Sequence, residues 1–241
     1  MHRFFTNNIC DNESAVITGE DVRHIVRVLR LRPGDAVTLC NGEGLDYDAV
    51  IQSLSDDAVR CSVGWPYPSR SEPACRVTLF QCLPKTGKME TIVQKCTELG
   101  VDGIVPVMSR RCVAQPTSNY EIKRVRYQRV AEEAAKQSRR GMIPQFGLIT
   151  PIAALDPAAY DLFLIAYEDE EILLKAALKE RRAARKIAIL IGPEGGFDPD
   201  EVQALKEKGA VSVSLGARIL RTETAGMAML AQLLYDLERS F

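Results

Sequence analysis

Two apolar runs that each break into a glycine turn constrain this chain more than any other feature. Ile187 to Ile191 leads without a polar residue into Gly192-Pro193-Glu194-Gly195-Gly196. After a short helical pattern, the run Val211 to Leu215 leads into Gly216 and then Arg218-Ile219-Leu220-Arg221-Thr222-Glu223-Thr224. Glycine is used where the backbone needs a positive φ or must approach something closely. Two buried-strand signals that end this way describe two backbone walls facing one ligand.

The surrounding pattern places those walls in a sheet. From Ala74 onward, strand and helix alternate. Arg76 to Gln81 reads as a buried strand, Met89 to Leu99 as a helix closed by Gly100, and Val101 to Val107 as a strand. Asn119 to Ser138 reads as a long helix, Asp161 to Ala166 as a strand, and Glu170 to Arg182 as a helix. Ile187 to Ile191 and Val211 to Leu215 are strands around a helix at Asp200 to Lys208. A last helix runs from about Thr222 to Glu238, with Ala225, Met229, Leu233 and Leu237 inward. Such alternation predicts an α/β domain with a mostly parallel sheet, whose ligands sit beyond the carboxyl ends of the strands. Both glycine turns lie at such ends.

Residues 1–70 have a different texture. Ala15 to Thr18, Ala36 to Cys40, Tyr47 to Leu54 and Ala58 to Val63 are short strand signals separated by tight turns, which predicts a small β-barrel. Between the first two, Gly19 to Leu29 has helical spacing, with Val22, Ile25, Val26 and Leu29 on one face and Arg23, His24, Arg27 and Arg30 on the other. Trp65 to Pro73 holds three prolines and reads as the linker. The expected division is therefore 1–70 and 74–241.

Net charge is −1, so bulk charge selects no partner, but Arg110 to Arg140 carries nine Lys/Arg against three Asp/Glu. That bias fits either a polyanion-binding face or a solvated helix. Seven cysteines, an odd number without C-x-x-C spacing, argue against a disulfide framework and a zinc site and fit a reducing, cytoplasmic compartment. With only His2 and His24 there is no multi-histidine metal centre, so no metal is expected. The opening Met1 to Phe5 is not a signal peptide, and no apolar run nears the roughly 20 residues that span a bilayer.

Three motif matches fail. Lys85-Thr86-Gly87-Lys88-Met89 lacks the glycine and the Ser/Thr of a phosphate loop, since Cys82 and Met89 stand there. Lys85-Thr86-Gly87 has no S-x-x-K partner. Gly192 to Gly196 comes too late for a dinucleotide fold. Within that turn Pro193 lacks an N–H and Glu194 repels phosphate, so a neutral or cationic ligand suits it.

Ile191-Gly192-Pro193-Glu194-Gly195-Gly196-Phe197, followed by Leu215-Gly216-x-Arg218-Ile219-Leu220-Arg221-x-Glu223-Thr224-Ala225, resembles the signature of the SPOUT methyltransferases. More narrowly, it is similar to the family that methylates N3 of one uridine in bacterial 16S ribosomal RNA. Lys85, Lys88, Glu90 and Gln94 to Val101 match that family's first catalytic-domain helix. Glu133-Ala134-x-x-Gln137-Ser138-x-Arg140 with Pro144 matches its basic helix, and His24-x-x-x-Val28-Leu29-Arg30-x-x-x-Gly34-Asp35 its PUA-like barrel. The blocks are in order and cover nearly the whole chain. Arg23 departs from the pattern, standing where the family has the first of two adjacent histidines, so no role carries over to it from that position.

The resemblance implies a trefoil-knotted SPOUT domain behind a PUA-like β-barrel, a homodimer, and 16S ribosomal RNA or the small ribosomal subunit as partner. It implies that S-adenosylmethionine lies among three loops. These are Ala166, Tyr167 and Glu168; Leu190 and Ile191 with Gly192, Pro193, Glu194, Gly195 and Gly196; and Leu215, Gly216, Ile219, Leu220, Arg221, Thr222, Thr224 and Ala225. Leu190, Leu215, Ile219 and Leu220 would form a slot for adenine, and Glu194 or Glu168 would tolerate the sulfonium. RNA would meet Arg3, Arg23, His24, Arg27, Arg30 and Arg32 in the barrel, and Lys85, Lys88, Arg110, Arg111, Arg139 and Arg140 in the larger domain.

Methyl transfer is an in-line displacement, so alignment is the protein's main task. Uracil N3 carries a proton that must leave, which calls for positive charge near O2 or O4 or for a base. Arg221 is the candidate for the charge; a salt bridge across the dimer is its structural alternative. Glu223 is the candidate base or orienting group; a carboxylate complementing a helix N-terminus is the alternative. Two other functions stay open at this point: a non-catalytic RNA-binding dimer, and a methyltransferase of the same fold acting on another RNA.

Overall fold

The computed structural model describes residues 2–10, 13–85, 87–115, 119–179 and 181–237. Met1, Thr86, Glu180 and Glu238, which the sequence reading names or spans, lie outside them. Contacts divide the chain into one unit of Met1–Glu72 with Ala135–Ile143 and another of Pro73–Ala134 with Pro144–Phe241. Ala135–Ile143 thus groups with the first unit, whereas the sequence places it in the second domain.

In the first unit, β1 (His2–Phe5), β2 (Ile9–Cys10), β3 (Ser14–Thr18), β4 (Ala36–Cys40), β5 (Leu45–Leu54), β6 (Ala58–Val63) and β7 (Tyr67–Pro68) form one sheet. Its order is β1-β4-β5-β6-β3-β2, with β7 on β5. Pairing is antiparallel except between β1 and β4. Alternating residues supply the core: Ala15 and Ile17, Val37 and Leu39, Ala49 and Ile51, Val59 and Cys61. The helix between β3 and β4 starts as α1 (Glu20–Arg23) and continues π-wound over His24–Leu29. Val22 and Ile25 are buried, but Val26 is not. Pairing i to i+5 packs more residues into each turn, so the face predicted from ordinary helical spacing rotates outward after Ile25. Glu72 ties in the 135–143 segment by accepting from Arg140 Nη2 at 2.7 Å, from the Met142 N–H at 3.1 Å and from the Gly141 N–H at 2.6 Å.

In the second unit the strands are β8 (Arg76–Cys82), β9 (Gly103–Met108), β10 (Gln145–Phe146), β11 (Thr150–Pro151), β12 (Leu162–Ala166), β13 (Lys186–Ile191) and β14 (Val211–Val213). All pair in parallel in the order β10-β9-β8-β13-β12-β14, with β11 on β9. The helices are α2 (Lys88–Leu99), α3 (Tyr120–Gln137, whose end from Ala135 on groups with the first unit), α4 (Leu174–Lys179), α5 (Pro199–Glu207) and α6 (Thr222–Leu237). β13 is central: Ile189 lies opposite Leu79 on one side and Leu164 on the other, and Ile187 to Leu190 are fully buried. A sheet covered on both faces explains why this strand reads as an unbroken apolar run. Each isoleucine or leucine side chain among them contributes about 1.5–3 kcal/mol by burial. α6 lays Met229, Leu230 and Leu233 into the same core, and Phe80 stacks on Phe163 with ring centres 5.5 Å apart.

Two predicted elements are shorter than their sequence pattern. The helix expected over Glu170 to Arg182 spans only Leu174–Lys179. Glu170 turns its carboxylate onto the N–H groups of Glu171 and Ile172, and Leu173 bridges in parallel to Ser214, so this stretch serves the sheet instead. The strand expected over Val211 to Leu215 ends at Val213 for the same reason. Of the seven cysteines, all free, six are buried, acting as small hydrophobes.

Candidate active site

The carboxyl ends of β12, β13 and β14 lie side by side, and the loops leaving them enclose a pocket of about 710 Å³. That volume lies within the ~300–1,000 Å³ of small-molecule sites. Its wall brings together the three predicted loops: Ala166, Tyr167 and Glu168; Ile191, Gly192, Pro193, Glu194 and Gly196; and Leu215, Gly216, Ile219, Leu220, Arg221, Thr222 and Ala225. Leu190, Gly195 and Thr224 are not part of the wall. Leu190 is fully buried in the sheet, so it cannot help to form the expected slot. Ala217 and Arg218, inside the third predicted loop, also line the pocket; so do Glu170, Leu173, Phe197, Ser214, Lys85 and Lys88, which were not expected to meet the cofactor. The bridge between Leu173 and Ser214 accounts for those two residues; it forms between distant segments and leaves no local signal.

Glycine is favoured at two points of the β13 loop. Gly196 has φ 68°, and a Cβ there would stand 2.7 Å from the Glu168 carboxylate. A Cβ on Gly192 would stand 3.1 Å from the Phe197 ring. Phe197 is buried and anchors the loop, and Asp198 then caps α5 by accepting from the Asp200 N–H at 3.1 Å.

Polar contacts lock the loop to α2 and α6. Lys88 Nζ lies 2.9 Å from Glu194 and 3.0 Å from Glu223, joining the glycine turn to the first turn of α6. Glu194 also accepts from the Lys85 N–H at 3.1 Å. Bonds to Glu194 first and Glu223 second raise the Lys88 pKa. Burial pushes both carboxylates up, but it is outweighed. Lys88 and backbone N–H groups hold Glu194 below its ordinary value; a backbone N–H, Lys88 and the Arg221 charge do the same for Glu223. Glu223 is therefore ionised at neutral pH. Thr222 Oγ1 donates to the Gly192 carbonyl at 2.6 Å and accepts from Gln81 Nε2 at 2.9 Å. Gln81, on β8, is fully buried; a lone amide inside an apolar strand was its only sequence signal.

The residues expected to meet RNA differ in setting. Arg23, His24, Arg27, Arg30 and Arg32 are exposed on the first unit. Arg3 is mostly buried, paired with Asp46 and donating to Ser69 at 2.9 Å. Arg139 is exposed, but Arg140 is 2% exposed and held by Glu72, which corrects the expectation of a surface phosphate ligand. In the second unit Lys85 and Arg111 are exposed, Arg110 faces Asp198 at 3.2 Å and Asp200 at 3.4 Å, and Lys88 belongs to the pocket. Among the described residues no group of His, Cys, Asp and Glu could hold a metal, and no helix is long and apolar enough to cross a membrane.

Known proteins resemble this chain over most of its length. A family model described as an RNA methyltransferase domain matches residues 70–234, and one described as an RNA methyltransferase PUA domain matches 17–64. Ribosomal RNA small subunit methyltransferase E of Bacillus subtilis (strain 168) is 36% identical over 231 residues, spanning 92% of this chain and 90% of the relative. The protein of the same name from Neisseria gonorrhoeae, solved bound to S-adenosyl methionine, superposes with a TM-score of 0.83 at 30% identity, covering 98% of this chain and 97% of that one. A putative methyltransferase of Legionella pneumophila, solved with the cofactor SAM, gives 0.80 at 26% identity, covering 97% and 96%. The fold is that of a SPOUT-type RNA methyltransferase with a PUA-like N-terminal region. Within that class, the chain belongs to the ribosomal RNA small subunit methyltransferase E family.

Proposed function

We propose that this protein transfers a methyl group from S-adenosylmethionine to N3 of one uridine in 16S ribosomal RNA, as a homodimer in the cytoplasm. The observation that carries this reading is the pocket at the ends of β12, β13 and β14, where a proline-glutamate-glycine turn excludes polyphosphate yet leaves apolar wall and close backbone. Ile191, Leu215, Leu220 and Ala225 offer the apolar surface that adenine needs, and Glu168 offers negative charge beside Gly196. These residues fit S-adenosylmethionine, whose contribution is an electrophilic methyl group.

The chain's own residues supply alignment and charge. Arg221, exposed at the pocket wall, stabilises negative charge as the uracil loses its N3 proton. Glu223, held ionised by Lys88, orients that arginine and the base. Its lowered pKa makes it a weak proton acceptor, so charge stabilisation supplies more of the rate than general-base transfer. Extrusion of the uridine from folded RNA precedes these steps. The exposed side chains Ile219 on the pocket wall and Tyr235 on α6 support coverage by a second copy of the chain.

Calorimetry with S-adenosylmethionine tests the cofactor site: micromolar binding is expected, and no detectable heat at millimolar cofactor would sink the reading. Light scattering at the same concentrations tests the dimer, since a mass of one chain would remove that part.

A further inference from the structure

We infer that Gln81 is a positioning residue for methyl transfer, acting through Thr222 to hold the cofactor turn and the catalytic pair in one register. The inference rests on the reading of the pocket given above.

The direction of each hydrogen bond is forced. The Gly192 carbonyl can only accept, so the single Thr222 hydroxyl proton points to it across 2.6 Å. The Thr222 oxygen must then accept from Gln81, which fixes Nε2 on that side at 2.9 Å. The second Nε2 proton goes to the Cys82 carbonyl at 3.1 Å. Both amide donors are thereby committed, and Oε1 is left buried without a hydrogen-bond donor among the described residues. An amide fully buried in a parallel sheet with its oxygen unpaired costs stability, and a methionine of similar length would not incur that cost. Fold stability therefore does not account for glutamine at this place.

Its position does. Thr222 is the first residue of α6 and stands between Arg221 and Glu223. Gly192 opens the glycine turn. One hydroxyl thus joins the two halves of the site, and only a donor from below leaves its proton free for Gly192. Gln81 is well placed for this, because its backbone lies in register with Pro106 on one side and Ile191 on the other. A donor fixed in the sheet holds the hydroxyl still, whereas one on a loop would move with the turn it has to locate.

The test compares Gln81→Met, Thr222→Val and the double variant for melting temperature, S-adenosylmethionine affinity and kcat. For Gln81→Met we expect an equal or higher melting temperature, roughly tenfold weaker cofactor binding and at least a tenfold lower kcat, of the order that misplaced catalytic groups lose. The double variant should be no worse than Thr222→Val alone, because both remove the same connection. Wild-type affinity and kcat in Gln81→Met would overturn the inference. So would losses that track a lowered melting temperature and add fully in the double variant, since that pattern belongs to packing. Failure of the wild-type protein itself to bind S-adenosylmethionine would instead remove the underlying site.

Discussion

Around the Gly192–Gly196 turn, side chains hold one another: Lys88 sits between Glu194 and Glu223, and Thr222 between Gln81 and Gly192. Along the helical segment of the first unit the situation is reversed. Arg23, Arg27, Arg30 and Arg32 are exposed, and no ion pair engages their guanidinium groups among the described residues. The first arrangement is costly to assemble and specifies geometry to a fraction of an ångström. The second leaves charges hydrated and free, which suits a ligand held by many interchangeable phosphate contacts. On the proposed function, chemistry and capture are thus separate physical problems in this chain. Substitutions in the pocket should change kcat with little salt dependence, and those on the helix should do the opposite.

The largest effect is expected from Arg221→Ala. Loss of a group aimed at developing charge typically costs 10²–10³-fold in kcat, and rRNA affinity measured by filter binding should move far less. An equal loss of both would make Arg221 a phosphate contact and blur the distinction between the regions.

Next comes Lys88→Met, expected to lower kcat about tenfold by freeing Glu194 and Glu223 from their shared cation. It also carries a pH signature. Both carboxylates have folded-state pKa values below their ordinary ones. Their ionised contacts therefore contribute fully above the unfolded value, near 4.3 for glutamate, and are lost as pH falls through the lower folded value. Without Lys88 both pKa values rise, so the acid limb of the activity and stability profiles should move to higher pH. An unmoved limb would show that the backbone N–H groups alone hold the carboxylates.

Smaller and different in kind is the effect of Arg23→Ala with Arg27→Ala. Binding of rRNA should weaken, and the slope of log affinity against log salt should fall by up to about one per phosphate contact removed. Calorimetric affinity for S-adenosylmethionine should stay unchanged.

The smallest is Arg30→Gly. Arg30 closes the π-wound segment at φ 53°, a conformation that disfavours side chains. Glycine should stabilise the first unit by about 0.5 kcal/mol in thermal melts while weakening rRNA binding. Gain of both stability and binding would contradict a capture role for this arginine.

What the sequence disclosed follows the same division. The glycine turns, the apolar strands β12 and β13 and the helices α2, α5 and α6 were legible, because backbone shape and burial are written in adjacent residues. Contacts between distant segments were not. Gln81 meets Thr222 across 141 positions, and Arg140 meets Glu72 across 68. Nothing near either residue announces its partner, so Gln81 read as one more strand residue and Arg140 as a surface cation. Glu170 to Leu173 has helical composition, yet Ser212 and Ser214, far along the chain, draw it to the sheet edge. The shortening of that helix is what lets Glu170 and Leu173 reach the pocket.

The most direct test gives small ribosomal subunits from a strain lacking this gene to the purified protein with methyl-labelled S-adenosylmethionine, followed by mass spectrometry of the 16S rRNA nucleosides. Label is expected in 3-methyluridine at one site, abolished in Arg221→Ala. Label in any other nucleoside, or none from a protein that binds the cofactor, would contradict it.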